Sequence, residues 1–81
     1  MASWVVKKRR KRKLGRTARH TYLFHGLTQE YAWYSNSGDG THGLIGGVVK
    51  MARFDTKKKA SDAAMLNAKD VERFDFIAIR V

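Results

Sequence analysis

The sequence contains no cysteine among its 81 residues, so neither a disulfide framework nor a thiolate zinc site can stabilise its fold. Its three histidines, His20, His25 and His42, stand at no metal-binding spacing and have no cysteine or carboxylate companions. We therefore expect a protein without a bound metal ion, and no residue pattern points to another cofactor.

Long hydrophobic runs are also missing, and no stretch approaches the roughly twenty apolar residues that a membrane helix needs. The N-terminus is positively charged, but no apolar segment follows it as in a secretory signal peptide. The sequence therefore predicts no membrane span.

Residue patterns typical of catalysis are absent as well. No nucleophile–base pair is visible, and no two carboxylates stand out as an acid and a base. The glycine-rich segment 36–47 lacks the Lys-Ser/Thr ending of a P-loop and does not lie between a strand and a helix N-terminus. We interpret this segment as a β-turn or a partner-docking loop, and we expect no enzymatic activity.

Acidic residues are missing from the first nineteen positions, which hold nine of the seventeen lysines and arginines. The remaining eight basic residues are nearly balanced by the seven acids of residues 20–81. Almost all of the formal net charge of +10 therefore lies in one basic segment. Its cations are Lys7, Lys8, Arg9, Arg10, Lys11, Arg12, Lys13, Arg16 and Arg19.

Such a concentration of positive charge predicts a polyanionic partner, with nucleic acid or a nucleoprotein first. Lysine and arginine that contact phosphates release counterions, so this binding weakens as salt rises. An acidic protein surface, a nuclear-localisation signal and anionic lipid headgroups remain alternatives for the same segment. The pattern distinguishes neither DNA from RNA nor one base sequence from another.

A second group of cations, Lys57, Lys58 and Lys59, falls in the first turn of a predicted helix. The helix dipole disfavours cations there and favours anions. We interpret the three lysines either as a second phosphate contact or as ordinary solvated side chains.

Aromatic residues offer stacking surfaces for bases, and the candidates are Tyr31, Trp33 and Tyr34. A domain this small also needs aromatic rings in its core, so we expect Trp33 to be packed. If residues 30–35 form a strand, Trp33 and Tyr34 point to opposite faces.

The hydrophobic pattern predicts one α+β domain over residues 1–81, with one helix packed on a small, mainly antiparallel sheet of three to five strands. A helix is expected over residues 57–69, with Asp55 or Thr56 as its N-cap. Residues 74–81 have apolar side chains on both faces, which favours a central strand. The other predicted strands are residues 3–6, 19–26, 30–35 and 48–54.

The basic segment 7–19 is predicted either as a hairpin or as a flexible arm. Strand-forming residues flank it on both sides, and Gly15 supplies a turn, which favours a basic β-hairpin near the N-terminus. Consecutive like charges repel one another, which favours the arm.

Several of these motifs together resemble small phage and prophage accessory proteins. They are Trp4-Val5-Val6, Tyr22-Leu23, Trp33-Tyr34-Ser35, the segment ARFDTKKKA at residues 52–60, and a terminal strand. In such proteins a hairpin and a third strand precede an A-x-x-F-x-T helix start; here Ala52 stands one residue closer to Phe54 than in that pattern. The resemblance implies a non-enzymatic protein that binds host machinery such as a polymerase, a nuclease or a CRISPR complex.

Two hypotheses follow. The first is a small basic protein that binds nucleic acid or a nucleoprotein through residues 7–19, with the lysines at 57–59 assisting. The second is a phage-encoded inhibitor that docks on a host protein. We expect a cytoplasmic location, in the bacterial host cell if the chain is phage-encoded, or a nuclear one in a eukaryote.

Overall fold

The computed structural model of the protein describes residues 3–11 and 20–81. Within them the chain forms six strands and one helix. The elements are β1 Trp4–Arg10, β2 Thr21–His25, β3 Tyr31–Tyr34, β4 Thr41–Leu44, β5 Gly47–Met51, α1 Lys57–Leu66 and β6 Phe74–Arg80.

The strands form one open antiparallel sheet in the order β4-β5-β2-β1-β6, and β3 pairs with β2 outside this order. After β5 the chain returns to β1, where Phe54 and Trp4 exchange backbone hydrogen bonds of 2.8 and 2.9 Å. The predicted α+β class is confirmed. The sheet has six strands, one more than the largest number predicted.

The helix covers one face of the sheet because its small residues recur at helical spacing. Ala60, Ala63 and Ala64 are buried against Val6 and Leu23. Both partners are 0% exposed, and fully burying such a side chain contributes roughly 1.5–3 kcal/mol.

Capping residues set the two ends of α1. Of the two predicted N-caps, Asp55 and Thr56, the structure has Thr56, and its Oγ1 accepts a hydrogen bond from the Lys59 N–H at 3.2 Å. The helix ends at Leu66 rather than at residue 69, and Asn67 is its C-cap. The backbone N–H and the side-chain amide of Asn67 both donate to the Ala63 carbonyl, at 3.1 and 2.8 Å.

The second face of the sheet has its own apolar cluster, formed by Val5, Phe24, Val49 and Met51. His42 of β4 extends this cluster: its ring stacks on Tyr34 at a centroid distance of 4.9 Å, and its Nδ1 lies 2.9 Å from the Ser35 carbonyl. The prediction of a loop throughout residues 36–47 was therefore wrong, since β4 lies inside it and pairs with β5.

The prediction of a central C-terminal strand was also wrong. β6 lies at the end of the strand order and pairs with β1 alone among the described strands. Its two apolar faces are still partly covered, because Phe76 and Ala78 pack on the helix side and Ile79 packs beside Val5. Apolar side chains on both faces of a strand indicate that both faces are covered. They do not indicate that the strand pairs with a neighbour along each edge.

The first strand is longer than the predicted residues 3–6, because β6 pairs with β1 as far as Arg10. β1 pairs with β2 only at Lys7–Tyr22 and Lys8–Thr21. Residues 12–19, which include the predicted turn at Gly15, lie outside the described residues, so the basic hairpin remains a prediction.

Candidate functional site: the basic end of the first strand

Five consecutive cations, Lys7, Lys8, Arg9, Arg10 and Lys11, occupy the second half of β1 and the residue after it. We call this group the basic row. Lys7 and Lys8 are half-buried, and the other three are exposed. The predicted phosphate-binding residues Arg12, Lys13, Arg16 and Arg19 lie outside the described residues.

The partner strand β6 holds the basic row in an extended conformation. Its ladder pairs Lys7 with Ile77 and Arg10 with Phe74, and the Lys11 N–H donates a 2.9 Å hydrogen bond to the Arg73 carbonyl. Alternate side chains of a strand share a face at a spacing of about 6.6–6.8 Å. The row therefore presents Lys8 and Arg10 on the helix side of the sheet and Lys7 and Arg9 on the opposite side, while Lys11 follows the end of the strand.

On the face opposite the helix, Asp75 lies between two cations of the row. Its carboxylate is 3.7 Å from the Arg9 guanidinium and 3.9 Å from the Lys11 ammonium. The arginine and lysine side chains are 49% and 47% exposed, and surface pairs of this kind contribute about 0–1 kcal/mol. Such weak pairs leave both cations available to another anion.

On the helix side, the cations contact aromatic rings. Lys8 Nζ lies 4.2 Å from the Phe74 ring centroid and 5.9 Å from that of Trp33, and Arg10 Cζ lies 5.7 Å from Phe74. These distances are within the range of cation–π attraction. In the part of the chain that the structure describes, neither cation has a carboxylate within 4 Å.

An open groove of about 350 Å³ adjoins the basic row between the end of α1 and β6. We call it the α1–β6 groove. The groove and the basic row share two residues: Lys11, which is a member of the row, and Phe74, which contacts Lys8. The other lining residues are Ser61, Ala64, Met65, Ala68, Val71, Asp75 and Phe76.

The structure does not bring Lys57, Lys58 and Lys59 to the basic row. All three are exposed at the start of α1, close to the start of β1 where Phe54 pairs with Trp4. The groove joins the other end of α1 to Lys11. Along β1, three residues, or about 10 Å, separate Trp4 from Lys7, the first cation of the row. Lys59 instead pairs with Asp55 at 3.1 Å, and its hydrogen bond and charge lower the pKa of that carboxyl.

Of the three predicted stacking residues, Tyr31 alone is exposed. Trp33 is half-buried against Phe76 at 5.3 Å, and its indole N–H donates a 3.3 Å hydrogen bond to the Asn67 carbonyl, so the expectation of a packed ring is confirmed. Tyr34 is half-buried on the opposite face, between Phe24 and His42.

The sequence prediction missed Phe74 and Phe76 as part of this site. Both belong to a predicted strand, but their place beside Lys8 and Lys11 depends on the pairing register of β1 with β6. The alternation of Phe74-Asp75-Phe76 predicts that these residues form a strand, but it does not predict which strand pairs with it.

Among residues 3–11 and 20–81, no cluster of three or more histidine or acidic side chains could hold a metal ion. No helix in these ranges has the length and apolar character needed to cross a membrane. Comparison with known proteins gives no assignment: no family model, curated protein or solved structure matches the chain.

Proposed function

We propose that the protein binds nucleic acid, or the nucleic acid of a nucleoprotein, through the basic row and catalyses no reaction on it. The observation that supports this proposal is the fixed arrangement of five consecutive cations beside β6, four in the β1–β6 ladder and Lys11 through its hydrogen bond to Arg73. Asp75 is the carboxylate beside them in the described residues. Because the backbone hydrogen bonds already order this segment, binding phosphates costs less conformational entropy than ordering a free chain.

Phosphate binding by such a row is expected to be strong at low salt and independent of base sequence. Each neutralised phosphate releases condensed counterions, so the logarithm of the binding constant falls by about 0.9 per phosphate for each decade of salt on duplex DNA. On single strands the slope is about 0.7 per phosphate.

Fluorescence anisotropy with labelled single-stranded and duplex oligonucleotides tests the proposal. We expect the affinity to fall at least tenfold between about 50 and about 200 mM salt. A flat response, or no binding at the lower salt, would contradict the proposal.

Matched charge variants locate the site. The triple change Arg9→Gln, Arg10→Gln and Lys11→Gln removes three cations from the row, and we expect it to reduce the salt slope by about 1 for each phosphate that these side chains bind. The control removes the same charge from exposed positions elsewhere, by Lys50→Gln, Arg53→Gln and Arg80→Gln. Equal reductions of affinity in the two triple variants would show that net charge alone, and not the basic row, determines binding.

A second candidate function is docking on a host protein, in the manner of a phage-encoded modulator. An apolar patch at the turn between β4 and β5 favours it: Ile45 is fully exposed, Val48 is 64% exposed, and the nearby Leu27 is 49% exposed. Exposed apolar patches of this kind mark many protein interfaces.

Affinity capture from a bacterial lysate treated with nuclease tests this candidate. We expect one stoichiometric protein to remain bound to the wild type and to be absent with Ile45→Asp, while oligonucleotide binding by that variant is retained. Capture of no protein after nuclease treatment, or equal capture by Ile45→Asp, would contradict docking through this patch.

A further inference from the structure

The α1–β6 groove has apolar walls beside a cationic strand. Met65, Ala68, Val71, Phe74 and Phe76 supply apolar or aromatic surface to it. Lys11 of the basic row also lines it, together with the Asp75 carboxylate that lies 3.9 Å from the Lys11 ammonium. Met65 is 77% exposed and Val71 is 58% exposed, so this surface is open to solvent in the described residues. Its volume of about 350 Å³ falls within the range of small-ligand sites.

The cations of the basic row and the apolar walls of the groove favour different chemical groups, and one ligand that fits both must carry both kinds of group. Lys8 and Arg10, which lie over Phe74, attract anions, whereas the groove walls favour a flat or apolar group. Single-stranded nucleic acid combines the two, because each repeat joins a phosphate to a base that can stack on an aromatic ring. In a duplex the faces of the bases are already stacked on one another.

We propose that the α1–β6 groove binds an unpaired base of single-stranded nucleic acid, while the flanking phosphates contact Lys8, Arg10 and Lys11. This inference rests on the proposed function and adds to it a preference for single strands over duplexes. An anionic lipid also combines charge with apolar groups, but its charge is confined to one headgroup. The basic row instead extends along a strand, which suits a chain of phosphates.

Methyl NMR of the methionines provides a direct test. Met65 lines the groove, whereas Met51 is buried in the cluster on the opposite face of the sheet and serves as an internal reference. Titration with a short single-stranded oligonucleotide should shift the Met65 ε-methyl resonance through the ring current of a bound base and leave Met51 unchanged. An unchanged Met65 resonance at saturation would overturn the proposal.

An abasic oligonucleotide of equal length separates this inference from the proposed function. It retains the phosphates, so we expect it to bind through the basic row but more weakly than the natural strand and without shifting Met65. Because stacking contributes about 1–3 kcal/mol per base, the difference in affinity should be about five- to 150-fold. Equal affinities would overturn the groove proposal alone, whereas failure of both oligonucleotides to bind would overturn the proposed function as well.

Replacing one aromatic ring tests the groove by mutation. Phe74→Leu should weaken binding of the natural single strand about five- to 150-fold more than binding of the abasic strand, because loss of the ring's contacts with Lys8 and Arg10 affects both strands. The control is Tyr31→Leu, which removes an exposed ring that the sequence suggested as a stacking surface. This change should alter the affinity for neither the natural nor the abasic strand. An equal loss of abasic binding in Phe74→Leu would limit the ring to positioning the cations and overturn the groove proposal.

A second pair of variants covers the case in which Phe74→Leu fails to fold. Val71→Lys adds a cation inside the groove, and Ile45→Lys adds the same charge at the exposed β4–β5 turn. Electrostatics alone predicts tighter binding in both, whereas occupation of the groove by a base predicts weaker single-strand binding for Val71→Lys only. Equal affinities of the two variants, or a Met65 shift produced by anionic vesicles but not by the oligonucleotide, would overturn the proposal.

Discussion

Gly26 is the buried residue at which β2 turns towards β3, and the close approach of the chain there requires glycine. Its N–H donates a 2.6 Å hydrogen bond to the Glu30 carbonyl, and its own carbonyl accepts a 3.0 Å hydrogen bond from Gln29 N–H. A Cβ added at this position would lie 3.1 Å from the Glu30 carbonyl oxygen and 2.7 Å from its side-chain Oε1. The side chain can move away, but the carbonyl is held by the turn.

We therefore expect Gly26→Ala to lower the free energy of unfolding by about 1–3 kcal/mol through overpacking. The control is Gly43→Ala in β4, where an added Cβ meets no atom within 4 Å. Urea denaturation monitored by tryptophan fluorescence measures both variants. Equal stability of Gly26→Ala and the wild type would show that the turn relaxes without cost.

Asp39 stabilises the turn before β4 in its ionised form. Its carboxylate accepts a 2.5 Å hydrogen bond from the Thr41 hydroxyl and one of 3.1 Å from the Thr41 N–H, and these bonds lower its pKa below the usual 3.8. The folded state therefore favours the charged carboxylate. Its contribution to the free energy of unfolding is complete at pH values above the pKa that Asp39 has in the unfolded chain, and it is lost as the pH falls through the lower pKa of the folded state.

Thr41→Val removes the hydroxyl hydrogen bond, which is the largest cause of this shift. We expect the pKa of Asp39 to rise towards 3.8 in the variant, and the acid-induced loss of stability to become smaller. NMR titration of the side-chain carboxyl carbons measures the change. Asp55 serves as the internal reference, because its own lowered pKa depends on Lys59. A pKa of Asp39 that does not move would refute this account of the turn.

At the scale of elements, sequence patterns predicted the strands and the helix whose formation depends on residues close together in the chain. The alternation of residues 74–80 predicted β6, and the spacing of Ala60, Ala63 and Ala64 predicted α1. β4 escaped prediction, since Gly43 weakens its pattern and its stability comes from pairing with β5 and from the stacking of His42 on Tyr34. Similarly, the basic row was predicted as a charged segment, but its aromatic partner Phe74 depends on a register between distant segments.

The start of α1 also departs from what stability favours, because its first turn contains three lysines and no acid. Lys57→Glu and Lys58→Glu should each raise the free energy of unfolding by about 0.3–1 kcal/mol at low salt, because an anion there interacts favourably with the helix dipole. Thermal unfolding measures the gain, which should shrink at about 1 M salt as the charges are screened. No gain at low salt would mean that these lysines carry no stability cost, and would remove one reason to assign them a binding role.

At the scale of the whole molecule, nearly all of the net charge of +10 lies in the first nineteen residues, and five of those cations are adjacent in the basic row. Repulsion among neighbouring like charges destabilises the compact state and is weakened by salt. Phosphate binding is weakened by salt too. The free protein and its complex should therefore respond to salt in opposite directions.

We expect the Tm of the free protein to rise as salt increases from about 50 to about 200 mM, and the Tm with excess oligonucleotide to fall over the same range. At a ligand concentration of about 100 Kd, binding adds about 2.7 kcal/mol, which corresponds to roughly 10–20 °C in a domain of this size. Differential scanning fluorimetry measures both curves. In the triple variant Arg9→Gln, Arg10→Gln and Lys11→Gln both salt responses should flatten, because the same side chains cause the repulsion and bind the phosphates. If the oligonucleotide no longer raises the Tm of this variant but salt still raises the Tm of the free variant as much as that of the wild type, the repulsion lies outside the basic row. The phosphate contacts would then still lie within the row.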